Sequence, residues 1–158
     1  MSNQEINDLL MQAMDSEIKA KEFYLEAAEK AESKAGKKLF SELADFEQNH
    51  YNRVKKVIES LNKGIKIKCT EPCRDIQKTK SEIDGEFEPN KDEIISVINL
   101  AIDAEKSAQK RYTKIADIID DEEGKKIFTD LASEERNHQR ILEDEFYNIS
   151  NKGTIIWE

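Results

Sequence analysis

The stretch AGKKLFSELADFEQNH, residues 35–50, recurs in similar form as EGKKIFTDLASEERNH at residues 123–138. In both copies the apolar residues are spaced three and four positions apart, which is the period of a helix packed in a bundle. The same 88-residue offset continues upstream, where residues 6–31 match residues 94–119. An unbroken offset over this length predicts a duplicated hairpin of two helices.

Four helices are therefore predicted, over about residues 4–32, 35–61, 92–119 and 124–148. The chain has only 5 Gly and 2 Pro, a composition that favours long helices. The turns inside each repeat are short and contain glycine, so the two helices of each hairpin should be antiparallel.

The segment over about residues 62–91 has no helical stripe and contains both prolines and both cysteines. About thirty extended residues reach ~90 Å, whereas a helix of about 28 residues measures ~42 Å. The segment can therefore cross the full bundle, and one long crossover between two hairpins is the ferritin-like topology. We predict an all-α, ferritin-like four-helix bundle in one domain, residues 1–158. Asn90 should start the third helix, and Trp157 should pack on the bundle.

Composition excludes several classes of function. The net charge of −9 argues against nucleic-acid binding, which requires clustered Lys and Arg. The sequence contains neither an apolar run long enough to span a bilayer nor the features of a signal peptide, so we expect a cytoplasmic protein that binds no membrane. Cys69 and Cys73 have a C-x-x-x-C spacing that fits no zinc ribbon. They are loop thiols or, alternatively, a reversible disulfide.

Six polar residues occupy stripe positions where a bundle core should be apolar. Both histidines of the chain follow a glutamate by three residues, so each Glu-x-x-His pair projects from one helix face. The six are at equivalent positions in the two repeats: Glu17, Glu47, His50, Glu105, Glu135 and His138.

Four buried carboxylates and two neutral imidazoles would carry a charge of −4, which is untenable in a core without compensation. Two divalent cations cancel it. Carboxylate oxygens with one imidazole per metal suit iron or manganese, and this set of helices and ligands is typical of ferritin-like di-metal proteins. We predict two iron ions per chain, with manganese or zinc as possible substitutes.

Two other interpretations remain open. The six residues could face water in a loose coiled coil, or they could form a structural zinc site, although zinc prefers sets rich in Cys and His. Glu134, Asp15 and Asp103 fall off the stripe and are predicted to be solvated. Glu145 stands where the first repeat has Val57, which indicates a fraying outer end of the bundle.

Two tyrosines, Tyr24 and Tyr112, lie seven residues after Glu17 and Glu105 on the same stripes. They are either core aromatics or hydrogen-bond donors that orient the ligand carboxylates and take part in catalysis.

The sequence resembles the rubrerythrin branch of the ferritin-like superfamily over most of residues 4–150. The resemblance implies that the matching Glu and His residues bind two irons, that the tyrosines lie close to them, and that the protein reduces hydrogen peroxide with electrons from rubredoxin-type iron centres. The resembling segments are EIKAKEFY (17–24), FSELADFEQNH (40–50), EKSAQKRY (105–112) and FTDLASEERNH (128–138).

Two features depart from the family pattern. Rubrerythrins proper carry a C-terminal rubredoxin domain that is not found here, which implies a separate electron donor such as a rubredoxin. They also carry an additional Glu three residues after a third-helix ligand, where this chain has Ala108. Without that carboxylate, the ligand exchange of the family and its efficient turnover are not expected.

The resulting hypothesis is a homodimeric di-iron oxidoreductase that reduces hydrogen peroxide, or oxygen, in defence against oxidative stress. One alternative is a ferroxidase or iron-handling protein, for which Fe(II) is the substrate. Another is a metal-stabilised binding module without turnover.

Overall fold

The computed structural model describes residues 3–68 and 85–157. Its four long helices confirm the predicted all-α, ferritin-like four-helix bundle. Cys69 and Cys73 lie outside the described residues. Within the described ranges, no helix is both long and apolar enough to cross a membrane. The helices are α1 (Asn3–Lys30), α2 (Lys34–Lys63), α3 (Lys91–Ile118) and α4 (Glu122–Lys152).

The two hairpin turns are built alike, as the sequence repeat suggests. The Ser33 side chain caps α2 by accepting a hydrogen bond of 3.0 Å from the Gly36 backbone N–H. The Asp121 side chain caps α4 in the same way, at 2.9 Å from the Gly124 N–H. Each cap satisfies a backbone donor that the first turn of a helix leaves free. Glycines in the left-handed conformation, Gly64 and Gly153, end α2 and α4, and α4 runs to Lys152, beyond its predicted end at about residue 148.

The crossover begins at one end of the bundle and finishes at the other. Ile67 is buried, and its Cδ1 would lie 3.4 Å from a Cβ added to Gly124, at the α3–α4 turn. Glu88 is also buried, and its Oε1 would lie 3.0 Å from a Cβ added to Gly36, at the α1–α2 turn. The two equivalent glycines therefore lie beside opposite ends of the same connection.

Two short strands that the sequence did not predict join the crossover to the chain's last residues. Strand β1 (Glu86–Phe87) pairs antiparallel with β2 (Thr154–Ile155). The predicted packing of Trp157 is confirmed, since its side chain is buried in the core and its Nε1 donates to Glu42 at 2.9 Å. Asn90 directly precedes α3, and its amide donates to the Lys30 carbonyl instead of capping a backbone N–H of α3.

The apolar core forms two clusters, one on each side of the polar level of the bundle. One cluster contains Leu43 and Ala101, and the other contains Val54 and Ala108. The six polar stripe residues fall between these positions along every helix. The polar side chains therefore interrupt a core that is otherwise well packed.

The prediction that Glu145 marks a fraying end was wrong. Its side chain is fully buried and accepts hydrogen bonds from the Asn148 side chain at 2.8 Å and from the Ile156 backbone N–H at 3.3 Å. The chain after α4 folds back over this position, and its backbone requires an acceptor there.

Glu88 should stabilise the bundle in a pH-dependent way. Burial alone would raise its pKa, but hydrogen bonds from the backbone N–H groups of Asn90 and Glu32 outweigh burial. The Ser33 hydroxyl donates as well, at 2.8 Å, and the pKa is lowered overall. A lowered folded-state pKa contributes stability above the unfolded-state pKa, and this stability is lost as the pH falls through the folded-state value.

We expect Glu88→Gln to lower the free energy of unfolding at pH 7 by about 2 kcal/mol, since it weakens charge-assisted hydrogen bonds. The loss should shrink towards pH 3, because the wild-type carboxylate becomes increasingly protonated as the pH falls below its usual pKa of 4.5. Urea unfolding at both pH values measures this, with the exposed Glu59→Gln as control. An equal loss at both pH values would show that the charge of Glu88 is not the source.

Candidate metal centre

The structure brings the six polar stripe residues together at the middle level of the bundle. Helices α1 and α3 each contribute one glutamate, Glu17 and Glu105. Helices α2 and α4 each contribute a Glu-x-x-His pair. All six side chains are buried, with exposed fractions of 2% or less. The interpretation that they face water in a loose coiled coil is therefore wrong.

The donor atoms form two sets that could each hold one metal ion. Within each set, the donor atoms all lie within 4.8 Å of one another. Glu47 and Glu135 belong to both sets, so each lies within reach of both groups of donor atoms. The 88-residue repeat relates each set to the other. One set consists of Glu17, Glu47, His50 and Glu135, and the other consists of Glu47, Glu105, Glu135 and His138.

Each of the six side chains also has a buried oxygen or nitrogen atom, able to bind a metal, that makes no hydrogen bond among the described residues. A buried polar atom without a partner costs free energy, and such atoms are rare in folded proteins. Here they converge at one level of the core, and they are oxygen and imidazole nitrogen, the donors that iron and manganese accept. The residues therefore fit a two-metal site. The atoms are Glu17 Oε2, Glu47 Oε1, Glu105 Oε2, Glu135 Oε1, His50 Nδ1 and His138 Nδ1.

The two imidazoles turn the same nitrogen toward the shared carboxylates. His50 Nδ1 lies 2.8 Å from Glu135 Oε1 without the alignment of a hydrogen bond, and His138 Nδ1 lies 3.5 Å from the same oxygen. His138 Nδ1 is also 3.4 Å from Glu47 Oε1. The rings are stacked, with centroids 5.7 Å apart. Both nitrogens thus face the space between the carboxylates.

Without metal, the charges of the cluster shift its proton affinities strongly. Burial, and then the charge of Glu135, raises the pKa of Glu105 to about 8, and burial raises the pKa of Glu47 well above its usual value. Burial alone would lower the pKa of His50 and His138, but the surrounding glutamates raise both. Since metal ligands must be deprotonated, metal binding has to displace these protons.

Each of the two buried tyrosines hydrogen-bonds to the glutamate of the opposite repeat. The Tyr24 hydroxyl on α1 donates to Glu105 Oε1 at 2.5 Å, and the Tyr112 hydroxyl on α3 donates to Glu17 Oε1. Burial and the nearby carboxylates raise the pKa of both phenols well above 10, so they stay protonated and remain donors. Each bond engages one oxygen of a carboxylate and leaves the other for a metal.

The prediction that Glu134 is solvated was wrong. Its side chain is buried, and both oxygens accept from Arg53 Nη1, at 2.9 and 2.7 Å. Its Oε1 also lies 3.4 Å from His50 Nε2. Burial alone would raise the pKa of Glu134, but His50 and Arg53 hold it below its usual value. Asp15 and Asp103 are exposed, as predicted.

In the described part of the chain, His138 Nε2 has no carboxylate beside it of the kind that Glu134 provides for His50 Nε2. His138 Nε2 is buried and makes no hydrogen bond within the described ranges, and the Phe46 ring meets the imidazole edge to face, with centroids 5.2 Å apart. Phe46 is the position in the first repeat that matches Glu134. The two halves of the site are therefore alike in their ligand residues and different in what lies behind each histidine.

A cavity of about 440 Å³ lies between α1 and α3 and reaches the site. All four site glutamates border its inner end. Its other lining residues are mainly apolar, together with the cationic Lys19 and Arg111. Several of the lining residues are exposed, so the cavity opens to solvent.

Comparison with known proteins agrees with this geometry. The chain matches the family model described as rubrerythrin over residues 8–146. A solved structure of a hypothetical protein from Pyrococcus furiosus is similar, with 28% sequence identity and a TM-score of 0.74 over 92% of this chain and 90% of that one. No curated protein gives a significant match. Because the family model covers most of the chain, including all six site residues, the protein belongs to the rubrerythrin family.

Proposed function

We propose that the protein is a di-iron peroxidase that reduces hydrogen peroxide with electrons from a separate donor protein. When bound, two ferrous ions would supply the two electrons that cleavage of an O–O bond requires. Glu17 and His50 would hold one ion, Glu105 and His138 the other, and Glu47 and Glu135 would bridge them. The observation that carries the proposal is the open cavity, which leads directly to the ligand carboxylates.

The chain's own residues set the conditions at this site. The buried tyrosines hold the outer oxygens of Glu17 and Glu105, which fixes how these carboxylates face the metals. The apolar clusters above and below keep water from the other sides of the site. A small oxidant entering through the cavity would therefore meet the metals in a pre-formed pocket that is open to water on one side only.

The lining of the cavity favours a peroxide over Fe(II) as the molecule that enters. Among the described residues, its only acidic side chains are the four ligand glutamates themselves. Lys19 and Arg111 also line it; Asp15 pairs with Lys19 at 2.9 Å, and Arg111 repels a divalent cation. A ferroxidase needs a route that attracts Fe(II), whereas hydrogen peroxide is neutral and passes the two cations freely.

The test is oxidation of the protein after anaerobic loading with two Fe(II) per chain. Stopped-flow absorbance should show faster oxidation by hydrogen peroxide than by oxygen, with the iron retained. Reduced rubredoxin should then restore the ferrous state. Faster oxidation by oxygen followed by release of ferric iron would establish a ferroxidase, and no reaction with either oxidant would establish a binding module.

The tyrosines should contribute to metal affinity. We expect Tyr24→Phe and Tyr112→Phe each to weaken metal binding by about tenfold, because each leaves a buried carboxylate oxygen without its donor. Anaerobic Fe(II) titration against a competing chelator measures the change. Tyr147→Phe is the matched control, since Tyr147 is 65% exposed. Affinities equal to that of the control would show that the two tyrosines act only as core aromatics.

A further inference from the structure

The cavity between α1 and α3 is much larger than hydrogen peroxide requires. A water molecule has a share of about 30 Å³ in the liquid, and hydrogen peroxide has only one more oxygen atom. The cavity measures about 440 Å³, which lies within the range of about 300–1,000 Å³ that is typical of sites for organic ligands. Its size therefore points to an organic ligand.

The walls of the cavity have the chemistry of such a ligand site. Apolar residues of α1 and α3 face each other across it, among them Phe23 and Leu100. Three alanines, Ala20, Ala104 and Ala108, also line the cavity, and their small side chains leave space between the two helices. The ligand carboxylates lie at the inner end, and Ser16, Lys19, Ser107 and Arg111 add polar groups to the wall. A molecule with an apolar body and an oxygen-bearing end would match both parts.

We infer that this cavity binds an organic hydroperoxide, with its O–O group at the carboxylates and its alkyl or aryl body among the alanines. This inference rests on the proposed peroxidase function and names a substrate class for it. Reduction of such a substrate breaks the O–O bond with two electrons from the ferrous pair and two protons. It releases the corresponding alcohol and one water.

Binding can be measured without any redox reaction. The probe is 2-phenyl-2-propanol, the alcohol formed from cumene hydroperoxide, added to the full chain loaded with zinc, which has no redox chemistry. Calorimetry or NMR titration should show one alcohol bound per chain. Ala104→Phe should weaken binding by about tenfold or more, because Ala104 is exposed on the solvent side of the cavity and the added ring obstructs it. Thr113→Phe on an exposed part of α3, outside this cavity, should stay within about twofold of wild type.

The same variants separate this inference from the proposed function. Cumene hydroperoxide should oxidise the ferrous protein, and Ala104→Phe should slow this reaction more than it slows the reaction with hydrogen peroxide. Reaction with hydrogen peroxide alone would overturn the organic substrate and leave the peroxidase standing. Inertness to both oxidants would overturn the peroxidase.

A second copy of the chain is the competing occupant of this opening. In that case sedimentation would show a dimer that Ala104→Phe dissociates, and the alcohol would not bind to the wild type. Equal binding of the alcohol to Ala104→Phe and Thr113→Phe would also overturn the inference, because the alcohol would then be bound elsewhere.

Discussion

Removing both metals should lower the melting temperature by about 15–30 °C. A ligand at a thousandfold excess over its dissociation constant stabilises by about 4 kcal/mol per site, and each kcal/mol shifts the melting temperature of a domain of this size by roughly 2–4 °C. The loss arises because four carboxylates at the centre of the bundle then face one another without cations. Calorimetry before and after chelation, with dialysis to remove the chelator, measures it. An unchanged melting temperature would contradict a metal site in the core.

The metal-free protein should also lose stability as the pH rises. The pKa of Glu105 is raised to about 8 in the folded state, and the pKa values of Glu47 and both histidines are raised as well. A raised folded-state pKa stabilises below the unfolded-state value, and the gain is lost as the pH rises through the folded-state value. For Glu105 this window runs from about pH 4.5 to about pH 8.

Two glutamine substitutions in the metal-free protein give a matched contrast. Glu47→Gln should raise the melting temperature at pH 8, because it replaces a carboxyl group whose ionisation the fold opposes. Glu135→Gln should lower it, because the histidines hold the pKa of Glu135 below its usual value and depend on its charge. Both variants should weaken metal binding. Equal shifts of the melting temperature would mean that the two shared carboxylates are equivalent without metal.

Glu134→Gln should weaken one of the two metal sites by about 10–100-fold and leave the other nearly unchanged. The Glu134 carboxylate lies beside the outer nitrogen of His50 and is held there by Arg53. It therefore orients the His50 imidazole and increases its basicity. His138 has the Phe46 ring instead, so the substitution removes nothing from the second site.

Titration with Fe(II) against a chelator should resolve the two affinities. Glu143→Gln is the matched control, because Glu143 is an exposed glutamate on the same helix. His50→Ala should abolish the site that Glu134→Gln weakens, and His138→Ala should abolish the other one. A uniform weakening of both sites by Glu134→Gln would contradict the assignment of Glu134 to His50.

The sequence was sufficient to predict the bundle and the level of the polar group, and the physical reason is periodicity. Helical spacing converts position directly into a face, and a charge on an otherwise apolar face has few explanations. Duplication strengthened the argument, because the two halves predict each other. The roles of the six residues as metal ligands remain predictions that the experiments above test.

Features that depend on contacts between distant segments could not be predicted. Glu134 was assigned to solvent because it falls off its own stripe, yet Arg53 of another helix pairs with it across the bundle. The available signal was a mismatch between the two repeats. Phe46 in the first repeat is equivalent to Glu134 in the second, and Arg53 is equivalent to Ile141. Periodicity treats one helix at a time and cannot reveal such a pair.

The pairing of β1 with β2 has a consequence for the order in which the protein matures on the ribosome. Trp157 bonds to Glu42 across 115 positions of sequence, and β2 follows all four helices along the chain. The first hairpin and the crossover therefore emerge and can associate long before the segment that joins them together. Until that segment leaves the exit tunnel, the nascent bundle lacks the β1–β2 pairing and the Trp157–Glu42 hydrogen bond. A chain stalled within α4 would expose the backbone of β1 to chaperones and proteases.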